Sequence, residues 1–222
     1  MATVLTNPTP TRATRPGTRL RLICLSSGPG DCAGIDVDSG AFVRGRWEPP
    51  ADPGLRPYEF VTAVIAGDDG PPDLARPEGA TFEGPPEPAG RLPRRRVRRH
   101  LRALAAPTGR PLLGFPGPAI AYWLVPGTHP SLALVRPSRG PQLVVGLDGA
   151  VKARFEWDGL DHCLPVLDRR VRSIVSSTGR PRLAGDAMAT VLGHRVRHVL
   201  VALADPEAGH CHKSVAALLP PP

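Results

Sequence analysis

The chain has 222 residues, a formal net charge of +8, 41% apolar residues, 29 prolines and 24 glycines. Proline is barred from helix interiors and central strands, so this Pro and Gly density excludes a helical bundle and points to short strands joined by turns. No apolar run approaches the roughly 18–20 residues that a membrane helix needs, and no basic-then-apolar leader opens the chain, so a soluble cytoplasmic protein without membrane association is expected.

Residues 1–17 are rich in Thr, Pro and Arg without an acid and read as a disordered tail. Leu20 to Leu25, Cys32 to Val37 and Ala41 to Trp47 read as three strands, separated by Ser26-Ser27-Gly28-Pro29-Gly30-Asp31 and by Asp38-Ser39-Gly40. Tyr58 to Ala66 is apolar on both alternating faces, as in a central strand, and residues 67–90 then take the composition of a linker. In Arg94 to Leu104 the residues Val97, Leu101 and Leu104 share one stripe, the strongest helix signal in the chain.

Strands resume at Ile120 to Val125, Leu132 to Val135, Leu143 to Leu147, Val151 to Trp157 and Cys163 to Leu167. Asp168 is placed to cap a second helix through Val175, and Arg197 to Ala204 and Lys213 to Leu219 close the chain as strands. A faint internal echo pairs Thr108-Gly109-Arg110-Pro111 with Thr178-Gly179-Arg180-Pro181, and His129 to Gly140 with His198 to Gly209. The expected organisation is a tail (1–17), a first β domain with its Pro-rich linker (18–90), and a basic helix with a larger second β domain (91–222).

Charge is unevenly placed along this layout. Residues 31–87 carry twelve acids and four bases, net −8, whereas residues 91–102 carry seven arginines and no acid. The basic segment is the natural candidate for phosphate contact, because Lys and Arg supply the sequence-independent part of nucleic-acid affinity. Only Lys152 and Lys213 are lysines among the 28 basic residues, and Ala, Gly and Pro are abundant too, so part of the Arg excess reflects compositional bias.

Four pieces in chain order carry a family resemblance. Leu22-Ile23-Cys24-Leu25-Ser26-Ser27 runs on through Cys32-Ala33-Gly34-Ile35-Asp36 to Ser39-Gly40 and Val43-Arg44. Ser131-Leu132-Ala133-Leu134-Val135 is the second piece, and Arg154-Phe155-Glu156-Trp157-Asp158-Gly159 through Leu164-Pro165-Val166-Leu167-Asp168 is the third. The last is Leu203 through Cys211-His212-Lys213-Ser214-Val215-Ala216-Ala217. Over residues 19–219 the chain resembles the dual OB-containing domain family, as a divergent member. Gly28, Pro29 and Asp31 stand where that family has a basic pair, Gly45 replaces its proline, and His212 replaces its aromatic residue. The resemblance implies a mainly β protein of two OB-like small barrels in tandem with a connecting helix, a fold whose strand faces and loops commonly bind oligonucleotides or oligosaccharides.

Single-strand binding combines stacking aromatics with a basic groove. On this basis Arg44, Arg46, Trp47, Arg95, Arg98, Arg99, Lys152, Arg154 and Lys213 are the candidate nucleic-acid contacts, with Trp47 as the stacking ring. Alternation along Val151 to Trp157 puts Phe155 and Trp157 in the core and Lys152 and Arg154 outside. No GxSxG, HExxH or GxxxxGK[ST] pattern occurs, so no catalytic residue and no cofactor are expected. His194 with His198, and His210 with His212, are same-face pairs whose default reading is solvated histidines rather than a metal site. The expected function is a non-enzymatic binding module for single-stranded DNA or RNA. A protein-interaction scaffold, in which the acidic barrel and basic helix pair internally, is the alternative, and a small hydrolase using Cys32 or a His pair is a third.

Overall fold

The computed structural model describes residues 15–67, 73, 75–125 and 131–222. The chain forms two compact units: the first runs to Leu104 and includes Ser131 and Pro222, and the second holds Ala105–Val125 and Leu132–Pro221. The protein is mainly β with antiparallel sheets. No helix among the described residues is long and apolar enough to cross a membrane.

The first unit contains β1 (Arg19–Gly28), β2 (Asp31–Asp36), β3 (Phe42–Arg46), β4 (Phe60–Val64), β5 (Gly79–Thr81) and β6 (Glu87–Gly90), ordered β5-β3-β2-β1-β4-β6. β1 pairs antiparallel with both β2 and β4, whereas β3 and β5 run parallel. Beyond the named strands, Ile65 bridges Phe82, Ala66 N–H donates to Thr81 O at 2.9 Å, and Glu83 N–H donates to Val64 O at 2.9 Å. These bonds join the ends of β4 and β5, so backbone pairing runs in a ring from β1 through β2, β3, β5 and β4 back to β1.

Leu22, Trp47, Val61, Ile65 and Phe82 fill the space inside this ring, each at most 2% exposed. Gly45 permits it: a Cβ there would stand 1.9 Å from the Phe82 ring. This packing corrects the expected linker at 67–90. Gly and Pro mark turns in that segment, but the described part also contributes β5, β6 and the buried side chains of Ala75, Glu78 and Phe82.

Helix α1 (Arg94–Ala103) follows β6 and belongs to the first unit, which places the division at Leu104 rather than at residue 91. Val97, His100, Leu101 and Leu104 form its buried stripe. Residues 1–14 of the expected tail lie outside the described residues, while Gly17 N–H already donates to Ile65 O at 2.9 Å.

The second unit has two four-stranded sheets. One is ordered β11-β10-β9-β12, from β9 (Gln142–Val145), β10 (Val151–Trp157), β11 (Leu160–Pro165) and β12 (Arg182–Ala184). The other is ordered β7-β14-β13-β8, from β7 (Ala119–Ala121), β8 (Leu132–Val135), β13 (His198–Leu203) and β14 (His210–Leu219). A parallel bridge from Val166 to Val215, with Leu167 N–H donating to Val215 O at 2.8 Å, connects the end of β11 to β14. Leu143, Ala153, Phe155, Trp157, Leu164, Val199, Val201 and Val215 are buried in one core cluster. Phe155 and Trp157 are therefore interior, with Lys152 and Arg154 on the outer face of β10.

Helix α2 (Arg169–Ser177) starts where the sequence puts it: Asp168 Oδ1 accepts from Arg170 N–H at 2.9 Å and from Val171 N–H at 3.1 Å. Helix α3 (Gly185–Leu192) is absent from the sequence reading, since it begins without a side-chain cap; it ends at Gly193 with φ 74°. The expected strand Ile120 to Val125 stops at Ala121 and turns into a 3₁₀ helix over Tyr122–Leu124. The two copies of the internal echo lead into different elements, a 3₁₀ turn at Leu112–Gly114 and strand β12. His129 lies outside the described residues.

Candidate functional site

The nine sequence-predicted contacts divide between the units: Arg44, Arg46, Trp47, Arg95, Arg98 and Arg99 lie in the first, and Lys152, Arg154 and Lys213 in the second. Their environments differ more than their sequence contexts suggest. Trp47 is 2% exposed and packed in the core, so its ring is not presented for stacking. Arg44 is half-buried, its guanidinium reaching Ser131 Oγ at 3.4 Å, and burial holds its pKa below the usual guanidinium range against the pull of Glu78. Glu78 itself is buried and accepts from Ser131 N–H at 3.0 Å and from the Ser131 hydroxyl. Burial raises its pKa, a shift opposed first by these two hydrogen bonds. Arg44 therefore belongs to an internal polar cluster, whereas Arg46 is exposed on β3.

Helix α1 presents charge openly. Arg95, Arg98, Arg99 and Arg102 recur at i, i+3, i+4 and i+7, the spacing of one helical face, opposite the buried stripe. Arg91, Arg94 and Arg96 flank them, and all seven arginines are exposed. None forms an ion pair among the described residues, and Arg98 donates only to Pro222 O at 3.4 Å. The first turn carries no acid and no side chain caps it, so nothing within the helix offsets the charge. Among the described residues, the internal pairing required by the scaffold alternative does not occur at Arg95 or Arg99, although Arg96 contributes to lowering the pKa of Asp38.

In the second unit, Lys152 is exposed, and Arg154 pairs with Asp161 at 2.7 Å across β10 and β11. Lys213 is 3% exposed: it is interior rather than a surface cation. Its Nζ donates to Phe115 O at 2.7 Å and stands 4.1 Å from the Phe115 ring centre. Desolvation lowers its pKa to about 8. The sequence holds a signal for this, since Cys211, Lys213 and Val215 share one face of β14 by twofold alternation and both apolar neighbours are buried.

Sequence reasoning missed Trp123. Its side chain is 71% exposed on the 3₁₀ turn beside Tyr122 and Leu124, with the His210 ring centre 6.3 Å away at 58°. The remaining chemistry-bearing side chains offer less. Burial pushes the Cys32 thiol up, the opposite of what a nucleophile needs. His194 Nε2 lies 3.0 Å from Leu218 O, and His210 and His212 are exposed. Among the described residues, no three His, Cys, Asp or Glu side chains converge as a metal site. No protein-family model matches the chain, and neither a curated protein nor a solved structure shows significant similarity to it.

Proposed function

We propose that this protein is a divergent dual OB-containing domain protein that acts as a non-enzymatic binding module for single-stranded nucleic acid. Each unit's strand pairing supports the OB-like part of this reading. In the first, the ring β1-β2-β3-β5-β4 with parallel β3 and β5 matches a five-stranded Greek-key barrel. In the second, β8 and β9 stand for one bent first strand, pairing with β13 and β10 respectively. There β11 meets β14 in parallel and α2 falls in the connection to β13, so the same order recurs.

The observation that carries the binding reading is the outward face of α1. Unpaired, exposed arginines keep their charge available for phosphates, whereas arginines matched to carboxylates do not. From Arg95 to Arg102 this face extends about 10 Å at 1.5 Å per residue. Trp123 supplies an accessible ring of the kind on which bases stack.

Fluorescence anisotropy of labelled single-stranded DNA and RNA oligomers across a salt series tests the proposal. Binding is expected at about 50 mM salt with micromolar protein. Replacing Arg95, Arg98 and Arg99 together by Gln is expected to weaken it at least tenfold and to flatten the log–log salt slope by about 2, at roughly 0.7 per single-strand phosphate. Absence of binding at that salt, or full affinity in the triple variant, overturns the reading.

A further inference from the structure

A cleft of about 510 Å³ opens in the second unit, within the range of small-molecule sites. Leu112, Phe115, Leu160 and Leu164 give it an apolar lining, and Leu160 is 60% exposed at its mouth. Two polar side chains in the wall have unmet capacity. The Lys213 ammonium carries three donors, of which the Phe115 carbonyl takes one, and among the described residues no carboxylate pairs with it. His162 Nε2 is buried without a hydrogen-bond partner. The ring is held in place by stacking on Phe155 at 5.3 Å and by tilted contact with Trp157 at 6.1 Å.

The acids of the same wall are already engaged. Asp158 accepts from Gly109 N–H at 2.6 Å, and Asp161 is paired with Arg154. Arg110 adds a further positive charge to the lining. Lys213 itself is therefore a buried cation with no carboxylate within ion-pair distance among the described residues. Such a buried ion is costly to keep, and a bound anion removes the deficit.

We propose that this cleft binds a small organic carboxylate with an apolar body, the carboxylate accepting hydrogen bonds from the Lys213 ammonium, with the His162 ring in the wall beside it, and the body lying against Leu112, Phe115, Leu160 and Leu164. The residues of this site all belong to the second unit, whereas the arginine face of α1 belongs to the first. A neutral ligand would leave the ammonium unmatched, and an amine would oppose it.

Isothermal titration of the full-length protein with octanoate, octan-1-ol and octylamine tests this. Octanoate is expected to bind at least tenfold more tightly than the alcohol, with the amine weakest. Lys213→Met is expected to lower octanoate affinity at least tenfold, and octanoate is expected to shift the His162 ring resonances in the wild-type protein. Leu160→Glu alters only an exposed residue at the mouth, retains the fold, and is expected to reduce octanoate affinity several-fold by adding negative charge. Equal binding of octanoate and octanol, unmoved His162 resonances, or undiminished octanoate affinity in either Lys213→Met or Leu160→Glu overturns the assignment. The triple replacement of Arg95, Arg98 and Arg99 is expected to leave octanoate binding unchanged, and a loss there would also count against it.

Discussion

The first unit buries a carboxylate and surrounds it with partners, whereas the second buries an ammonium and leaves it without a counter-charge. Glu78 has two hydrogen bonds from Ser131 and the Arg44 guanidinium nearby, partners within the same unit that offset part of the burial cost that raises its pKa. Lys213 has one backbone carbonyl, one aromatic face and an open cleft. A buried charge with hydrogen-bond partners inside the fold is held in one arrangement, while one that faces a cavity has room for a ligand. The contrast also separates two kinds of basic residue: arginines on α1 that water already solvates, and a lysine whose charge the fold itself disfavours.

The comparison breaks most sharply at Glu78. Glu78→Leu removes the acceptor of both Ser131 hydrogen bonds and an acidic neighbour of Arg44, and is expected to cost about 3 kcal/mol. Chemical denaturation followed through the fluorescence of Trp47, the only tryptophan of the first unit, measures this, and an unchanged midpoint would mean that these partners do not stabilise the unit. Lys213→Met is expected to act in the opposite direction. It replaces a buried cation by an apolar chain of similar length, and a gain of about 1–2 kcal/mol at pH 7 should exceed the cost of leaving the Phe115 carbonyl unpaired.

The pH dependence sharpens the same point. The folded pKa of Lys213, about 8, lies below its ordinary value of 10.5, so between these pH values the unfolded chain binds more protons. The second unit is therefore expected to gain stability as pH rises through that window, and Lys213→Met should abolish the gain. The smallest expected effect belongs to Arg154→Gln. Its exposed ion pair with Asp161 is solvent-screened, so thermal unfolding should show no shift of the second unit's transition.

Much of the strand plan was legible in the sequence because turn chemistry and alternation are local. Leu132–Val135 and Val151–Trp157 lie where periodicity puts them, and Asp168 caps α2 as its residue type predicts. The buried stripe of α1 followed from helical spacing alone. The sequence reading lacks β5 and β6 because their Gly and Pro favour turns, and lacks α3 because no side-chain cap marks its start. Phe82 becomes core only where Gly45 of another strand leaves room for its ring. Among the candidate site residues, Arg95, Arg98 and Arg99 stand exposed as the amphipathic pattern requires. Trp47 and Lys213 are buried against expectation because a neighbouring arginine or a strand-end position does not reveal which face is covered.

The sequence by itself determined the β-rich class, the capped second helix and the outward arginine face, since each depends on spacing within one element. Tertiary structure alone decided which charges are buried, that Trp123 rather than Trp47 is exposed, and that Lys213 meets Phe115, His162 and a cleft. Those outcomes depend on residues as far apart as 98 positions in the chain, and local periodicity carries no information about such encounters.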